Sequence, residues 1–376
     1  MSLFKEKSLC SGCQACLAVC KKGAIKMQPD SLGFLYPQIN DAICVKCGQC
    51  ESVCPYNKKP VSFFPQVIYA ARHKRIKELT DSRSGAVFVA ITDWILSKGG
   101  VVYGAAFDRS LTVCHMRAED KSGRDSFRGS KYVQSDIKHA YDNIKKDLIS
   151  GRYVLFSGTP CQIAGIKNYI PTKLIERLYL VDIICHGVPS PELFSGYLTY
   201  LKNKYHSEVT TFNFRDKTNK GWHDHVESFT LKDGRHIESN DYTRLFYTNC
   251  FFREACYFCP YANYERVGDI TLGDFWGWEK VDCNFNSDDR GCSLVFLNTK
   301  KGEDVLDQCR EDLDLRLSTK ENCVQPNLRH PTSIPTYRDR VKYDFEKKGI
   351  GFVIKKYSHE ATMWAIIKKI VKRYLL

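Results

Sequence analysis

Eight cysteines near the start of this sequence fall into two runs with one spacing. Cys10-x2-Cys13-x2-Cys16-x3-Cys20 is followed, 24 residues on, by Cys44-x2-Cys47-x2-Cys50-x3-Cys54-Pro55. Three thiolates in one tight loop can cap three irons of a four-iron cube, while the fourth, at the start of the next segment, reaches a second cube. Zinc would want four ligands of its own, and each run already places its four in one closely spaced stretch. Cubes held this way pass single electrons and do no chemistry on organic substrates. Four more cysteines stand further along in suggestive positions: Cys161 and Cys185, and the pair Cys256-x2-Cys259. His186, next to Cys185, has a side chain able to donate a proton to a reduced substrate or simply to hydrogen-bond its surroundings.

The double run resembles the bacterial two-cluster ferredoxins over residues 1 to 57. On that pattern one cube takes Cys10, Cys13, Cys16 and Cys54, and the other Cys44, Cys47, Cys50 and Cys20. A proline follows Cys54, whereas Lys21 follows Cys20, a departure that leaves ligation intact. Residues 56 to 66 hold two prolines and no periodicity, and read as the linker to whatever uses the electrons.

The elements that must position the later cysteines read as α/β. Ser84 to Ser97 has helical apolar spacing with Ser84 as N-cap, and Val101 to Phe107 reads as a buried strand. Asp136 to Ile149 is again helical, and Tyr153 to Ser157 a strand. Thr159 then caps a helix opened by Pro160, the strand Leu178 to Ile184 follows, and Ser190-Pro191 opens one more helix. Strand and helix alternate as in a wound parallel sheet. Cys161 and Cys185 each stand just past the carboxyl end of a strand, and strands joined by a crossover helix are usually neighbours, so the two thiols are expected side by side at the ligand-binding edge. With Cys256 and Cys259 they suggest a third cluster, although small buried cysteines are also common core residues. Cys114, Cys250, Cys283, Cys292, Cys309 and Cys323 read as structural.

Composition sets the frame. The 376 residues are 43% hydrophobic and 12% aromatic, enough for a folded protein of two or three domains. No apolar run reaches membrane-spanning length, and no apolar leader precedes Cys10, so a cytoplasmic protein is expected, its 18 cysteines read as metal ligands rather than disulfides. The net charge of +13 is concentrated at the ends: residues 1 to 60 carry +4 and residues 329 to 376 carry +8. Three cubes at about −2 each would bring the total to about +7, so much of the basicity reads as compensation for cofactors, and nucleic-acid binding is not expected. Neither G-x-G-x-x-G after a strand nor a P-loop occurs, which withdraws support from a Rossmann dinucleotide site and a phosphate-binding loop.

Five further segments carry a wider resemblance: Ser82-Arg83-Ser84-Gly85, Gly129-Ser130-Lys131-Tyr132-Val133-Gln134-Ser135, Phe156 to Gln162, Cys185-His186-Gly187, and Arg266 through Gly273-Asp274-Phe275-Trp276-Gly277. Together they resemble the family of coenzyme F420 hydrogenase/dehydrogenase beta subunits, in the bacterial form with a ferredoxin domain in front, over roughly residues 1 to 330. The resemblance implies a redox enzyme that binds FAD and passes electrons between clusters and flavin to a small-molecule acceptor, which the surface-polysaccharide setting of bacterial relatives suggests is sugar-related. It implies a third cluster on Cys161, Cys185, Cys256 and Cys259. It also implies flavin contacts from Ser84, Gly85, Gly129, Ser130, Lys131, Tyr132, Gln134, Gly158, Thr159 and Gln162, with Lys131 placed to stabilise the anionic reduced flavin. The expected organisation is a ferredoxin domain at 1–60, a flavin and iron-sulfur α/β domain at 61–330, and a basic tail at 331–376.

In that tail Met363, Ile367, Ile370 and Tyr374 share one helical face, with Lys368, Lys369, Lys372 and Arg373 on another. The pattern suits a membrane surface, here the inner membrane, or a partner protein, as well as packing on the chain's own domain. Two other functions compete with the enzyme: an electron-transfer subunit working with a donor or acceptor protein, and an iron-sulfur nucleic-acid-binding protein.

Overall fold

Val101 to Phe107 is apolar at nearly every position, as a strand covered on both faces has to be, and in the computed structural model it lies inside a large mixed sheet. The structure describes residues 6–358. The strands are β1 (Ile25–Pro29), β2 (Leu35–Ile39), β3 (Val67–His73), β4 (Val101–Phe107), β5 (Val113–Ala118), β6 (Val154–Gly158), β7 (Leu178–Ile183), β8 (Val209–Asp216), β9 (Val226–Leu231), β10 (His236–Ser239), β11 (Ile270–Asp274), β12 (Ser293–Leu297) and β13 (Leu313–Ser318). The fold is mixed α/β. Eight strands form the main sheet in the order β13-β3-β12-β11-β7-β6-β4-β5; β8, β9 and β10 make a smaller antiparallel sheet, and β1 and β2 a hairpin.

The expected parallel sheet is its centre: β4, β6, β7 and β11 run parallel, while β12, β3, β13 and β5 extend it antiparallel on both sides. The helix Pro160–Tyr169 crosses from β6 to β7, and these strands are hydrogen-bonded neighbours, with Gly158 opposite Asp182. Cys161 and Cys185 therefore leave the same edge of the sheet.

Thr159 and Pro160 open that helix as the sequence indicates, with a full capping box to Gln162, and Ser190 caps Pro191–Tyr205 by accepting from Leu193 N. Ser84 behaves differently. The helix begins at Val87, after Ala86 in a left-handed conformation (φ +61°). Ser84 Oγ donates to the Cys292 carbonyl (2.8 Å) and Gly85 N–H to Ser293 Oγ (2.9 Å), so tertiary contacts with β12 have taken the groups that would cap a helix. The helix expected from Asp136 starts at Ala140.

The cysteine-rich segment is built into the core. Cys10, Leu32, Phe34 and Tyr36 pack with Leu193, Phe194 and Tyr197, and Cys13, Ala15 and Val53 with Tyr141, Ile163 and Ile166. The linker is pinned too, Phe63 pairing with Arg266 as an isolated antiparallel bridge. Residues 338–358, within the stretch expected as a basic tail, pack on the core. Within helix Arg338–Val353 and the turn after it, Val341, Val353, Ile354 and Tyr357 are buried against the core of Leu193. Asp344 is buried there, accepting from Lys348, Lys356 and Tyr357. Apolar burial decides this, and the basic groups remain at the rim. The face of Met363, Ile367, Ile370 and Tyr374, with Lys368, Lys369, Lys372 and Arg373, lies outside the described residues. Among the described residues no helix is long and apolar enough to cross a membrane.

Candidate functional site

The two cysteine loops share one backbone shape. Gly12 and Gln14 in the first, and Lys46 and Gly48 in the second, have positive φ (71°, 63°, 53° and 72°) at equivalent positions of the repeat. Each loop then enters a short helix, Ala15–Val19 or Gln49–Ser52. Left-handed residues curl a loop so tightly that its thiols face one point. Gly12 is required for a second reason: a Cβ there would lie 2.7 Å from Gln134 Nε2 and 2.8 Å from Arg253 Nη1.

One cavity is lined by Cys10, Cys13, Cys16 and Cys54 together with Cys161, Cys185, Cys256 and Cys259. Electrostatics divide the eight into two sets. Burial first, then repulsion from Cys10, Cys161 and Cys54, pushes the Cys13 thiol up to about 12; burial with Cys13, Cys10 and Cys54 raises Cys16. Burial raises Cys185 strongly, with Cys256, Cys161 and Cys259 adding to it, and takes Cys256 up to about 12 and Cys259 up to about 11. Thiols crowded and buried this way cannot ionise together unless positive charge is supplied, and iron supplies it. The donor chemistry thus fits two cubes side by side, with Cys13 and Cys161 the point where the sets meet. Cys50 is raised by burial and also senses Cys20, which joins the crossed fourth ligand to the second loop. That loop lies nearer the surface, with Cys47 exposed. Among the described residues no three His, Cys, Asp or Glu side chains close to the spacing of a single metal ion.

Hydrogen bonds fasten the cavity wall. Tyr141 OH donates to the Cys13 carbonyl (2.5 Å), Val188 N–H to Cys256 Sγ (3.4 Å), and Thr159 Oγ1 lies 3.2 Å from Cys161 Sγ. Gly165 lets this helix approach: a Cβ there would stand 3.2 Å from Cys13 Sγ and 2.5 Å from the Tyr141 hydroxyl.

The residues expected at a flavin are distributed unevenly. Gly158, Thr159 and Gln162 are together at the end of β6. Gln162 Oε1 accepts from Thr159 N (3.0 Å) and its Nε2 donates to Ser135 Oγ (2.9 Å). Gln134 instead faces the first cysteine loop, donating to the Ser11 carbonyl (3.0 Å). Ser84 and Gly85 direct their polar groups to β12. Gly129 and Ser130 are exposed, and Tyr132 stacks on Phe246 at 4.3 Å. Lys131 Nζ donates to the Ser126 and Arg128 carbonyls, and burial lowers its amine to about 7. His186 is lowered by burial, with Asp274 opposing.

A second polar cluster lies outside the residues legible in the sequence. Arg215 Nη1 donates to Asp274 Oδ2 (2.8 Å), Trp222 Nε1 to Asp274 Oδ1 (3.3 Å), and Trp222 stacks on Trp276 at 4.4 Å. His225, pushed down to about 4 by burial and then by Arg215, adjoins Trp276. Asp274 and Trp276 stand in the Gly-Asp-Phe-Trp-Gly motif and carried a detectable signal; Arg215, Trp222 and His225 come from the smaller sheet and its loops, and carried none.

His115 offers a pH test of this wall. Its Nε2–H donates to the Ser157 carbonyl (2.9 Å) and its Nδ1 accepts from Ser135 (3.0 Å), and burial lowers it to about 4. The unfolded chain takes up the proton near pH 6.5 while the folded chain refuses it. Stability is therefore full above about 6.5 and is lost as pH falls toward 4, by about 3 kcal/mol from this group. His115→Gln is expected to flatten that acid limb in denaturant titrations at pH 4.5 and 7; an unchanged slope would contradict it.

Comparison with known proteins gives two partial matches. Residues 9–58 match the 4Fe-4S dicluster domain, and residues 151–322 match the C terminus of the coenzyme F420 hydrogenase/dehydrogenase beta subunit. The second match covers a little under half of the chain, so residues 151–322 are similar to the C-terminal part of these beta subunits. It is 22% identical over 333 residues to the F subunit of F420H2 dehydrogenase from Methanosarcina mazei, covering 82% of this chain and 85% of the relative. A chain of the F420-reducing [NiFe] hydrogenase complex from Methanosarcina barkeri superposes with a TM-score of 0.46 at 17% identity, over 78% of this chain and 91% of that one. The dicluster match over residues 9–58 marks the chain as an iron-sulfur electron-transfer protein.

Proposed function

We propose that this beta subunit homologue is an iron-sulfur flavoprotein oxidoreductase, and the shared cavity of eight cysteines carries the reading. Cys44, Cys47, Cys50 and Cys20 would hold the outer cube, Cys10, Cys13, Cys16 and Cys54 the inner one, and Cys161, Cys185, Cys256 and Cys259 a third beside it. When bound, the cubes pass single electrons and FAD exchanges them in pairs with an organic acceptor. Gly158, Thr159 and Lys131 would line the flavin. Lys131, lowered to about 7, takes up a proton readily when negative charge arrives beside it. His186, lowered by burial, would donate a hydrogen bond or a proton at the acceptor. The acceptor is a small diffusible molecule, with sugar-linked compounds the first class to test. A second reading, supported by the relative's description as a subunit, has the chain deliver electrons to a partner enzyme.

Purification and reconstitution without oxygen separates the two. The enzyme reading expects ~12 iron per chain and one FAD that bleaches near ~450 nm on reductive titration. A preparation rich in iron that retains no flavin overturns it in favour of the electron carrier.

A further inference from the structure

Arg253 is fully buried, and among the described residues none of its hydrogen-bond partners is a carboxylate. Its Nε donates to the Cys10 carbonyl (2.6 Å), its Nη2 to Cys10 Sγ (3.4 Å) and to the Leu35 carbonyl (2.9 Å), and its Nη1 to Gln134 Oε1 (3.0 Å). The guanidinium lies over the Tyr36 ring at 4.1 Å. Its backbone ties the other half of the cavity: Arg253 N–H donates to the Val188 carbonyl, and Cys256 N–H to the Arg253 carbonyl.

A buried cation whose partners among the described residues are carbonyls, an amide, a thiol and aromatic faces is costly unless negative charge stands nearby. The cysteine sets on its two sides would provide that charge. We propose that Arg253 is a positioning residue that serves as internal counter-cation to both inner cubes, raising their reduction potentials above that of the outer cube. The inference rests on the three-cube reading given above. A fixed positive charge and an N–H···S hydrogen bond both stabilise the added electron. The Cys20, Cys44, Cys47 and Cys50 group receives no hydrogen bond from Arg253, so an electron arriving there gains by moving inward.

The test is a redox titration of holo-protein followed by EPR, with iron counted per chain, on wild type, Arg253→Met and Arg253→Lys. In Arg253→Met the two inner cubes are expected to shift to lower potential while the outer cube keeps its own; Arg253→Lys, which retains the charge, shifts them less. Full iron with unmoved potentials, or an equal shift of all three cubes, overturns the inference alone, whereas wild-type iron short of three cubes overturns the reading beneath it. Because Arg253→Met can fail to assemble, wild type labelled with 15N-arginine gives a second readout. A 15N coupling on the reduced cube of the Cys10 set is expected in pulsed EPR, and its absence counts against the assignment.

Discussion

If the proposed third cube is present, Cys256→Ser is expected to remove about four of ~12 iron atoms and to halt electron delivery at the sheet edge. Cys256 lines the cavity with Cys161, Cys185 and Cys259, is half-buried, and accepts a hydrogen bond from Val188 N–H. Serine preserves size and an acceptor there, so the fold should hold while the hydroxyl makes a poor iron ligand. The eight cysteines of the first sixty residues are untouched. A low-potential reductant should therefore still reduce the ferredoxin segment, while reduction of the proposed flavin or of an acceptor falls to background. Iron analysis with stopped-flow spectroscopy reads both effects. Unchanged iron content would show that these four cysteines do not share a cube.

The largest loss of stability is expected from Arg266→Leu. Arg266 and Asp182 are 1% and 0% exposed, with Nη2 2.9 Å from Oδ1. The guanidinium also donates to the carbonyls of Tyr261, Asn263 and Ile183, and Asp182 Oδ2 accepts from Gly268 N. This pair locks β7, which leads to Cys185, onto β11 and the segment that follows Cys259. Removing the arginine strands a buried carboxylate, at a cost of about 3–5 kcal/mol, a large share of the ~5–15 kcal/mol typical of a folded domain. Denaturant unfolding measures it. Asp182→Leu in the same chain should return much of the loss, because the orphan charge goes with it. A single-variant effect under ~1 kcal/mol would mean that the pair does not hold the strands.

Local chemistry made some of this legible. The cysteine repeat is a covalent spacing that needs no distant partner to interpret, and the capping signals at Thr159-Pro160 and Ser190-Pro191 act within four residues. The neighbourhood of Cys161 and Cys185 followed from the short crossover between β6 and β7. Ser84 shows where local reasoning ends: its hydroxyl had a local cap available and took the Cys292 carbonyl, 208 residues away.

By itself, then, the sequence determined the two cysteine loops, the α/β alternation and the edge at which the later cysteines emerge, because each depends on contacts within a few residues or one crossover. Only the tertiary structure decided that the ferredoxin segment is fused to the core. It alone brought Cys13 to Cys161, set Arg253 without a carboxylate between the cysteine sets, and joined Arg215 and Trp222 of the smaller sheet to Asp274 of the larger. Those contacts link residues far apart in the chain, and they are selected by burial and charge compensation summed over the whole fold, which no local spacing encodes.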